Sequence, residues 1–288
     1  MENSILTSVI LPASLFIIML GMGLSLVIDD FKRVAKYPKA TIIGLVNQLI
    51  LLPIIAFVIV TALGVPSMIA VGFMLIAACP GGVTSNLISH VSKGDTALSI
   101  TLTAISSFIT VLTIPIIITF AIAHFMGTTT TLELPLMKTV IQILGITVVP
   151  VSIGMFINYR FPNFAKKMDK PTRIASTIIF VVIVIGIVLA NLDVMEKYFF
   201  QLGWISLLLN IITMSLGFFT AKFFKLNLPQ SISISIESGI QNGTLAIVIA
   251  TSILKQPELS IPAAVYGLVM FLTGGFMMWY FGKRKEKL

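Results

Sequence analysis

The sequence predicts an all-α integral membrane protein of about nine transmembrane helices, two of them discontinuous. Three observations support this fold class. Of the 288 residues, 57% are hydrophobic and 10% are charged, and the mean hydropathy is +1.06, outside the range of soluble domains. Apolar runs of about 20 residues, the length that crosses a bilayer core, separate short charged clusters. Two of these runs are interrupted near their middle by glycines and polar side chains.

The predicted spans run from one helix breaker to the next. They cover residues 7–28, 39–62, 67–92, 96–125, 135–158, 172–192, 203–222, 229–254 and 260–282. The first span has no Lys or Arg before it, so it lacks the positive region of a signal peptide and is expected to be retained. The single cysteine, Cys79, and the two histidines argue against a disulfide and against a transition-metal site.

Basic residues are concentrated in alternate loops. If the N-terminus is outside, the outer loops contain only Lys138, Lys197 and Lys255 of the 19 basic residues. The positive-inside rule therefore predicts an outer N-terminus and a cytoplasmic C-terminus, which requires an odd number of spans. The same distribution accounts for the net charge of +8 without nucleic-acid binding, which we do not expect.

The third and eighth predicted spans are both interrupted. In the third, Pro80, Gly81 and Gly82 fall at mid-membrane, where proline removes a backbone hydrogen bond and glycine weakens the helix. In the eighth, Gly239 lies in a polar stretch, residues 235–244. Because these spans run in opposite directions, the breaks have the inverted topology of secondary transporters, which bind ligands between discontinuous helices at the membrane midplane. Two packing kinks stabilised by Ser and Thr are the alternative.

Glu237 is the one acidic residue predicted to lie deep in the membrane. An ionised side chain at a helix centre costs roughly 2.5–3.5 kcal/mol, and no Lys or Arg lies deep in a span to pair with it. We therefore expect Na⁺ or H⁺ as its counter-ion. Gln48 in the second span is a further polar group that needs a partner. One face of the fourth span carries five hydroxyl groups, of which the first two are the candidate cation contacts: Ser99, Thr103, Ser106, Thr110 and Thr113.

At these residues the sequence resembles the bile acid:sodium symporter family over nearly its whole length. The marks are Gly21-Met22-Gly23-Leu24, Tyr37-Pro38-Lys39 leading to Gln48 and Pro53, Cys79-Pro80-Gly81-Gly82 through Ser85-Asn86, Gly94-Asp95-Thr96-Ala97-Leu98-Ser99, and Glu237 through Asn242-Gly243. The resemblance implies a transporter, not an enzyme. It would carry a bile-acid-like or pantoate-like carboxylate with Na⁺ by alternating access, in the inner membrane of a bacterium.

The resemblance also implies two sodium sites that share Glu237. The first would use the side chains of Ser85, Asn86, Ser99, Thr103 and Glu237. The second would use Gln48, Glu237 and Gln241 with main-chain oxygens of Ser238 and Ile240. The anion would contact Asn86, Asn242 and the backbone that follows each break, at Val83, Thr84 and Gly243. Beyond two Na⁺ ions, the organic anion and the lipid bilayer, we expect no cofactor and no obligatory protein partner.

Members of this family divide into two parts, a panel and a core. Here the panel would be residues 1–38 and 134–195, and the core residues 39–133 and 196–288. Three alternatives stay open at this point. A proton-coupled carrier of the same fold would use Glu237 as the proton carrier. An intramembrane hydrolase would need a nucleophile with a base, or a pair of aspartates, for which the spans offer no candidates. A channel or receptor is the third.

Overall fold

The computed structural model describes residues 9–127 and 135–283, and its regular structure there is helical apart from one isolated β-bridge. The α-helices are α1 (Leu11–Ser25), α2 (Ile28–Lys36), α3 (Pro38–Val46), α4 (Leu52–Ala62), α5 (Ser67–Ala78), α6 (Val83–Val91), α7 (Thr96–Met126), α8 (Leu136–Arg160), α9 (Pro162–Ala190), α10 (Leu192–Phe223), α11 (Leu228–Gly239), α12 (Gly243–Val248) and α13 (Ile261–Gly282). π-helical turns Asn47–Leu51 and Ile249–Ile253 follow α3 and α12, and a 3₁₀ turn, Pro257–Ser260, precedes α13. The start of the predicted first span and the basic residues Arg284, Lys285 and Lys287 lie outside the described residues.

The all-α membrane fold is confirmed. Within the two described ranges, six helices are long and apolar enough to cross a bilayer, if α3, its π-helical turn and α4 are counted as one continuous helix. The pair α1 and α2 makes a seventh candidate. The two interrupted spans, α5 with α6 and α11 with α12, fall outside this count because each half is shorter than a bilayer is thick. Counting each broken pair as one span gives nine, which is an odd number, as the charge pattern requires, and this count stays a prediction.

The first span ends in a bend that the sequence did not indicate. α2 follows α1 at an angle of 62°, where we had expected a loop. The Asp30 carboxylate accepts the N–H of Val27 at 2.8 Å and so caps the start of α2. The hydroxyl of Thr101 in α7 donates to the Asp30 carbonyl at 3.0 Å. α2 is therefore held against α7 as a short helix after the bend.

Two helices extend further than their predicted spans. α9 begins at Pro162 and α10 at Leu192, whereas the predicted spans began at residues 172 and 203. Hydropathy marks where the chain enters the apolar layer, and a helix can continue beyond it with charged side chains in water. In α9, Asp169 and Arg173 form an ion pair one turn apart, which stabilises this extension.

Helix α1 packs closely against α8. A Cβ atom at Gly23 would collide with the main chain of Val151, and one at Gly154 with the main chain at Leu20. Small residues allow this approach, which is the usual way for helices to associate in lipid. α9 also packs on α1, while α10 packs on α11 and α13, and α5 packs on α7. The division into panel and core stays a prediction.

Candidate functional site

The two interrupted helices meet at their breaks, and this meeting point is called the crossing below. Residues 79–82 separate α5 from α6, and residues 240–242 separate α11 from α12. The N–H of Asn242 donates to the Pro80 carbonyl at 2.8 Å, and that of Gly82 to the Ile240 carbonyl at 3.4 Å. Gly81 and Gln241 thereby form an antiparallel bridge. This pairing satisfies backbone groups that would otherwise be unpaired inside the bilayer.

One of the predicted breaking residues is placed differently. Pro80, Gly81 and Gly82 lie in the first break, as expected, but α11 continues through Gly239 and the second break begins at Ile240. Gly239 is therefore the last helical residue before the break, and its part in breaking the helix stays a prediction. The helix can reach this far because side chains of α10 and α13 satisfy the Gly239 carbonyl.

The Glu237 carboxylate lies beside this crossing and is 0% exposed. Its Oε1 accepts hydrogen bonds from the hydroxyls of Ser85 and Ser99 at 2.6 and 2.5 Å. The Thr103 hydroxyl lies 3.1 Å from Oε1 and 2.9 Å from Oε2. Asn86 Oδ1 lies 2.9 Å from the Ser99 hydroxyl and 3.4 Å from the Thr103 hydroxyl. The structure thus brings together all five side chains predicted for the first site.

These oxygen atoms are more crowded than the available hydrogens can satisfy. The hydroxyls of Ser85, Ser99 and Thr103 carry one hydrogen each. They make eight contacts of 2.5–3.4 Å with oxygen atoms, one of them the Gly82 carbonyl. A contact between oxygens without a hydrogen is repulsive unless a positive charge lies between them. In the part of the chain that the structure describes, the ion pairs involve Asp29, Asp30 and Asp169, and none reaches Glu237.

A second group of polar atoms surrounds Gly81. A Cβ atom there would collide with Glu237 Oε2 and lie 3.2 Å from Gln48 Nε2, so a side chain at this position would displace the carboxylate. Gln48 is 1% exposed, and both polar atoms of its amide lack a hydrogen-bond partner. Gln241 Oε1 also has none, while its Nε2 donates to the carbonyls of Glu237 and Ser238, each at 3.1 Å. Unpartnered buried amide oxygens are costly, and oxygen is the ligand that hard cations prefer.

The remaining hydroxyls of the fourth span do not join this site. Ser106 donates to the Thr103 carbonyl at 3.2 Å, and Thr110 to the Ser107 carbonyl at 3.3 Å, both within α7. The Thr113 hydroxyl is buried without a partner. Of the five hydroxyls on this helix face, those of Ser99 and Thr103 therefore contact Glu237, and the other three do not. The described residues contain no group of three or more His, Cys, Asp and Glu that could hold a metal ion.

The predicted anion contacts lie at the starts of α6 and α12. Val83 and Thr84, in the first turn of α6, are partly exposed, and Asn86 is 8% exposed. Asn242 is 6% exposed, and its Oδ1 caps α12 by accepting the N–H of Leu245 at 3.0 Å, which leaves its amide nitrogen for another partner.

Sequence reasoning missed three residues at this crossing. The Phe180 ring from α9 covers Gly243, since a Cβ atom there would lie 2.9 Å from the ring. The other two, Asn210 and Tyr266, contact Gly239. A polar group within a long apolar run was the available signal for Asn210 and Tyr266, and Phe180 gave none.

Comparison with known proteins identifies the family. Residues 12–198 match the family model described as Sodium Bile acid symporter family. The chain is 32% identical over 271 residues to the uncharacterized sodium-dependent transporter YocS of Bacillus subtilis (strain 168), covering 94% of this chain and 82% of that protein. The chain is also similar to the probable sodium/metabolite cotransporter BASS1, chloroplastic, of Arabidopsis thaliana. The two are 31% identical over 91% of this chain and 64% of that protein.

An animal relative is also similar. The ileal sodium/bile acid cotransporter of Oryctolagus cuniculus is 28% identical over 244 residues, covering 84% of this chain and 69% of that protein. These relatives are transporters, which confirms the prediction of a membrane transport protein rather than an enzyme. The chain belongs to the sodium bile acid symporter family.

Proposed function

We propose that this chain is a Na⁺-coupled symporter that carries an organic carboxylate by alternating access. The observation that carries the proposal is the buried Glu237 carboxylate, crowded by hydroxyl and amide oxygens and without a basic partner among the described residues. A hard cation resolves both features, because it neutralises the carboxylate and binds several oxygens at once. The sodium dependence named for the relatives supports Na⁺ as that cation.

Two Na⁺ ions fit the two groups of ligands around Glu237. The first ion would bind among Ser85, Asn86, Ser99, Thr103 and Glu237. The second would lie near Gly81 and bind Gln48, Glu237 and Gln241 together with main-chain oxygens of Ser238 and Ile240. The Glu237 carboxylate neutralises only one of the two positive charges, so the site with both Na⁺ ions bound would carry a net charge of about +1. That charge would attract an anion only after Na⁺ has bound, which gives the coupling a physical cause.

The anion would bind at the start of α6 and beside Asn242. The first N–H groups of a helix have no partner within it, and Val83 and Thr84 are the first two residues of α6, whose start has no side-chain cap. The side chains of Asn86 and Asn242 and the backbone at Gly243 complete the proposed contacts. A bile-acid-like or pantoate-like carboxylate fits this set, since its charge would be bound by backbone and amide donors.

Alternating access would move the panel, residues 1–38 and 134–195, against the core, residues 39–133 and 196–288. Helix α12 is buried throughout, whereas α6 exposes Leu87 and Val91. With an outer N-terminus, α6 is the cytoplasmic half of its span and α12 the outer half of the other. The protein would work in a bacterial inner membrane.

Uptake into proteoliposomes tests the proposal. The probes are radiolabelled taurocholate and pantoate, supplied with an inward Na⁺ gradient, an inward H⁺ gradient or neither. We expect uptake of at least one probe with Na⁺ alone, faster when the interior is negative, because two Na⁺ with one monovalent anion carry a net positive charge worth about 2.3 kcal/mol per 100 mV. Uptake that follows the H⁺ gradient and ignores Na⁺ would instead establish the proton-coupled carrier.

A further inference from the structure

Two buried side chains outside the proposed sodium and anion sites hold the end of α11. We propose that Asn210 and Tyr266 are positioning residues for cation binding. They fix the Gly239 carbonyl, and through it the direction of the carbonyls of Ser238 and Ile240 at the second proposed ion. The inference rests on the proposed function, because it needs a cation at this crossing.

Three helices meet at the Gly239 carbonyl. Asn210 Nδ2 in α10 donates to this oxygen at 2.8 Å, and the Tyr266 hydroxyl in α13 donates to it at 2.9 Å. The two side chains also contact each other, with Asn210 Nδ2 3.2 Å from the Tyr266 oxygen. Both are 0% exposed. Two donors on one buried carbonyl leave its direction little freedom.

The other carbonyls at this end of α11 are used differently. A helix end leaves four carbonyls without partners inside the helix. Those of Glu237 and Ser238 contact the Gln241 amide, and that of Ile240 takes the Gly82 N–H at a long 3.4 Å. Each of these groups lies at the crossing, where an ion could also bind it. The Gly239 carbonyl instead accepts from side chains of α10 and α13.

Glycine at position 239 makes an external restraint necessary. A Cβ atom here would collide with Met214 and lie 3.3 Å from Asn210 Nδ2, so close packing excludes a side chain. Glycine has the widest backbone freedom of any residue. Without the two donors, rotation about the Gly239 backbone would turn the two peptide groups next to its Cα atom, which carry the Ser238 and Gly239 carbonyls. It would also move the chain that leads to the Ile240 carbonyl. A cation site needs these oxygens in fixed positions before the ion arrives.

Two near-isosteric variants test the inference. Tyr266→Phe removes one hydroxyl, and Asn210→Leu removes the amide donor at similar volume. The matched control is Thr220→Val, which also removes a hydroxyl that links two helices. The Thr220 hydroxyl lies 2.9 Å from Asn47 Nδ2 and 3.2 Å from Asn47 Oδ1, and its other contacts are within α10. For each purified protein, the melting temperature is measured against Na⁺ concentration at constant ionic strength with K⁺.

The half-saturating Na⁺ concentration separates positioning from general stability. We expect it to rise about three- to tenfold in Tyr266→Phe and in Asn210→Leu, the effect of about one hydrogen bond, and to stay within about twofold in Thr220→Val. If both test variants melt lower without Na⁺ but keep the wild-type half-saturation, the residues only stabilise the fold and the inference is wrong. If Asn210→Leu does not fold, Tyr266→Phe alone decides. A wild-type protein that shows no Na⁺ response overturns the proposed function, and this inference with it.

Discussion

Replacing Glu237 with glutamine should abolish the stabilisation of the protein by Na⁺. The substitution keeps the shape of the side chain and its Oε1 acceptor, to which Ser85 and Ser99 can still donate. It removes the charge that both proposed ions share. Without Na⁺, the wild-type carboxylate is buried with no basic partner in the described part of the chain, which costs roughly 2.5–3.5 kcal/mol on insertion scales. The variant avoids this cost, so we expect it to melt higher than the wild type in Na⁺-free buffer.

With Na⁺ the order changes. Binding at 100 times the dissociation constant stabilises a protein by about 2.7 kcal/mol per site, or about 8 °C at roughly 3 °C per kcal/mol. Two opposite charges 4 Å apart attract by about 4 kcal/mol at an effective dielectric constant of about 20, so loss of the carboxylate weakens each ion about a thousandfold. The wild type should therefore gain about 8 °C or more on Na⁺ addition, and the variant should gain almost nothing.

Thermal unfolding of the purified protein, with K⁺ replacing Na⁺ at constant ionic strength, measures both effects. Glu258→Gln is the matched control, because Glu258 is exposed on the turn before α13 and should leave the Na⁺ response unchanged. Equal Na⁺ responses of the wild type and Glu237→Gln would refute the reasoning. A response to pH in place of Na⁺, lost in Glu237→Gln, would assign the carboxylate to a proton instead.

Three further substitutions separate the parts of the site. Gly81→Ala places a methyl group against Glu237 Oε2, so the Na⁺-dependent rise in melting temperature should fall by more than half, and an unchanged rise would contradict the packing argument. Gln48→Leu removes ligands of the second ion only, so the Hill coefficient for Na⁺-driven uptake should drop from near 2 to near 1; a coefficient still near 2 would exclude Gln48 as a ligand. Phe180→Ala uncovers Gly243, so carboxylates with bulky bodies should stabilise this variant more than the wild type, and an unchanged ranking of a graded carboxylate series would show that the ring does not limit substrate size.

The cation cluster could be predicted because its signals are rare in apolar runs. One carboxylate deep in a span must have a counter-ion, and Pro-Gly-Gly at mid-membrane must break a helix. These two facts, with a face of hydroxyls on the fourth span, led to Ser99, Thr103 and Glu237. The pairing of the two breaks could not be predicted in the same way, since Gly81 and Gln241 are joined only through the tertiary fold.

Other features carried an ambiguous signal or none. Asn210 and Tyr266 are polar residues in apolar spans, but such residues often satisfy a carbonyl of their own helix, as Thr147 does with Ile143. The pattern therefore could not show that these two reach another helix. Phe180 is one of many apolar residues on α9, and hydropathy does not distinguish a side chain that faces lipid from one that covers a binding site. Helix α2 was missed because hydropathy detects membrane spans, not short polar helices.

The arrangement at Gly81 favours Na⁺ over H⁺ as the coupling ion. A proton on Glu237 would neutralise the carboxylate and supply the hydrogen for one of the oxygen–oxygen contacts. It would leave the amide oxygens of Gln48 and Gln241 buried without partners. A second cation beside Gly81 would bind both of these oxygens and the opposite side of the same carboxylate. Because the two breaks are paired through their backbones, an ion that orders one break also orders the other. The proposed anion contacts are Asn86, in the first turn of α6, and Asn242, at the end of the second break. Na⁺ should therefore raise anion affinity, and the anion must raise Na⁺ affinity by the same factor.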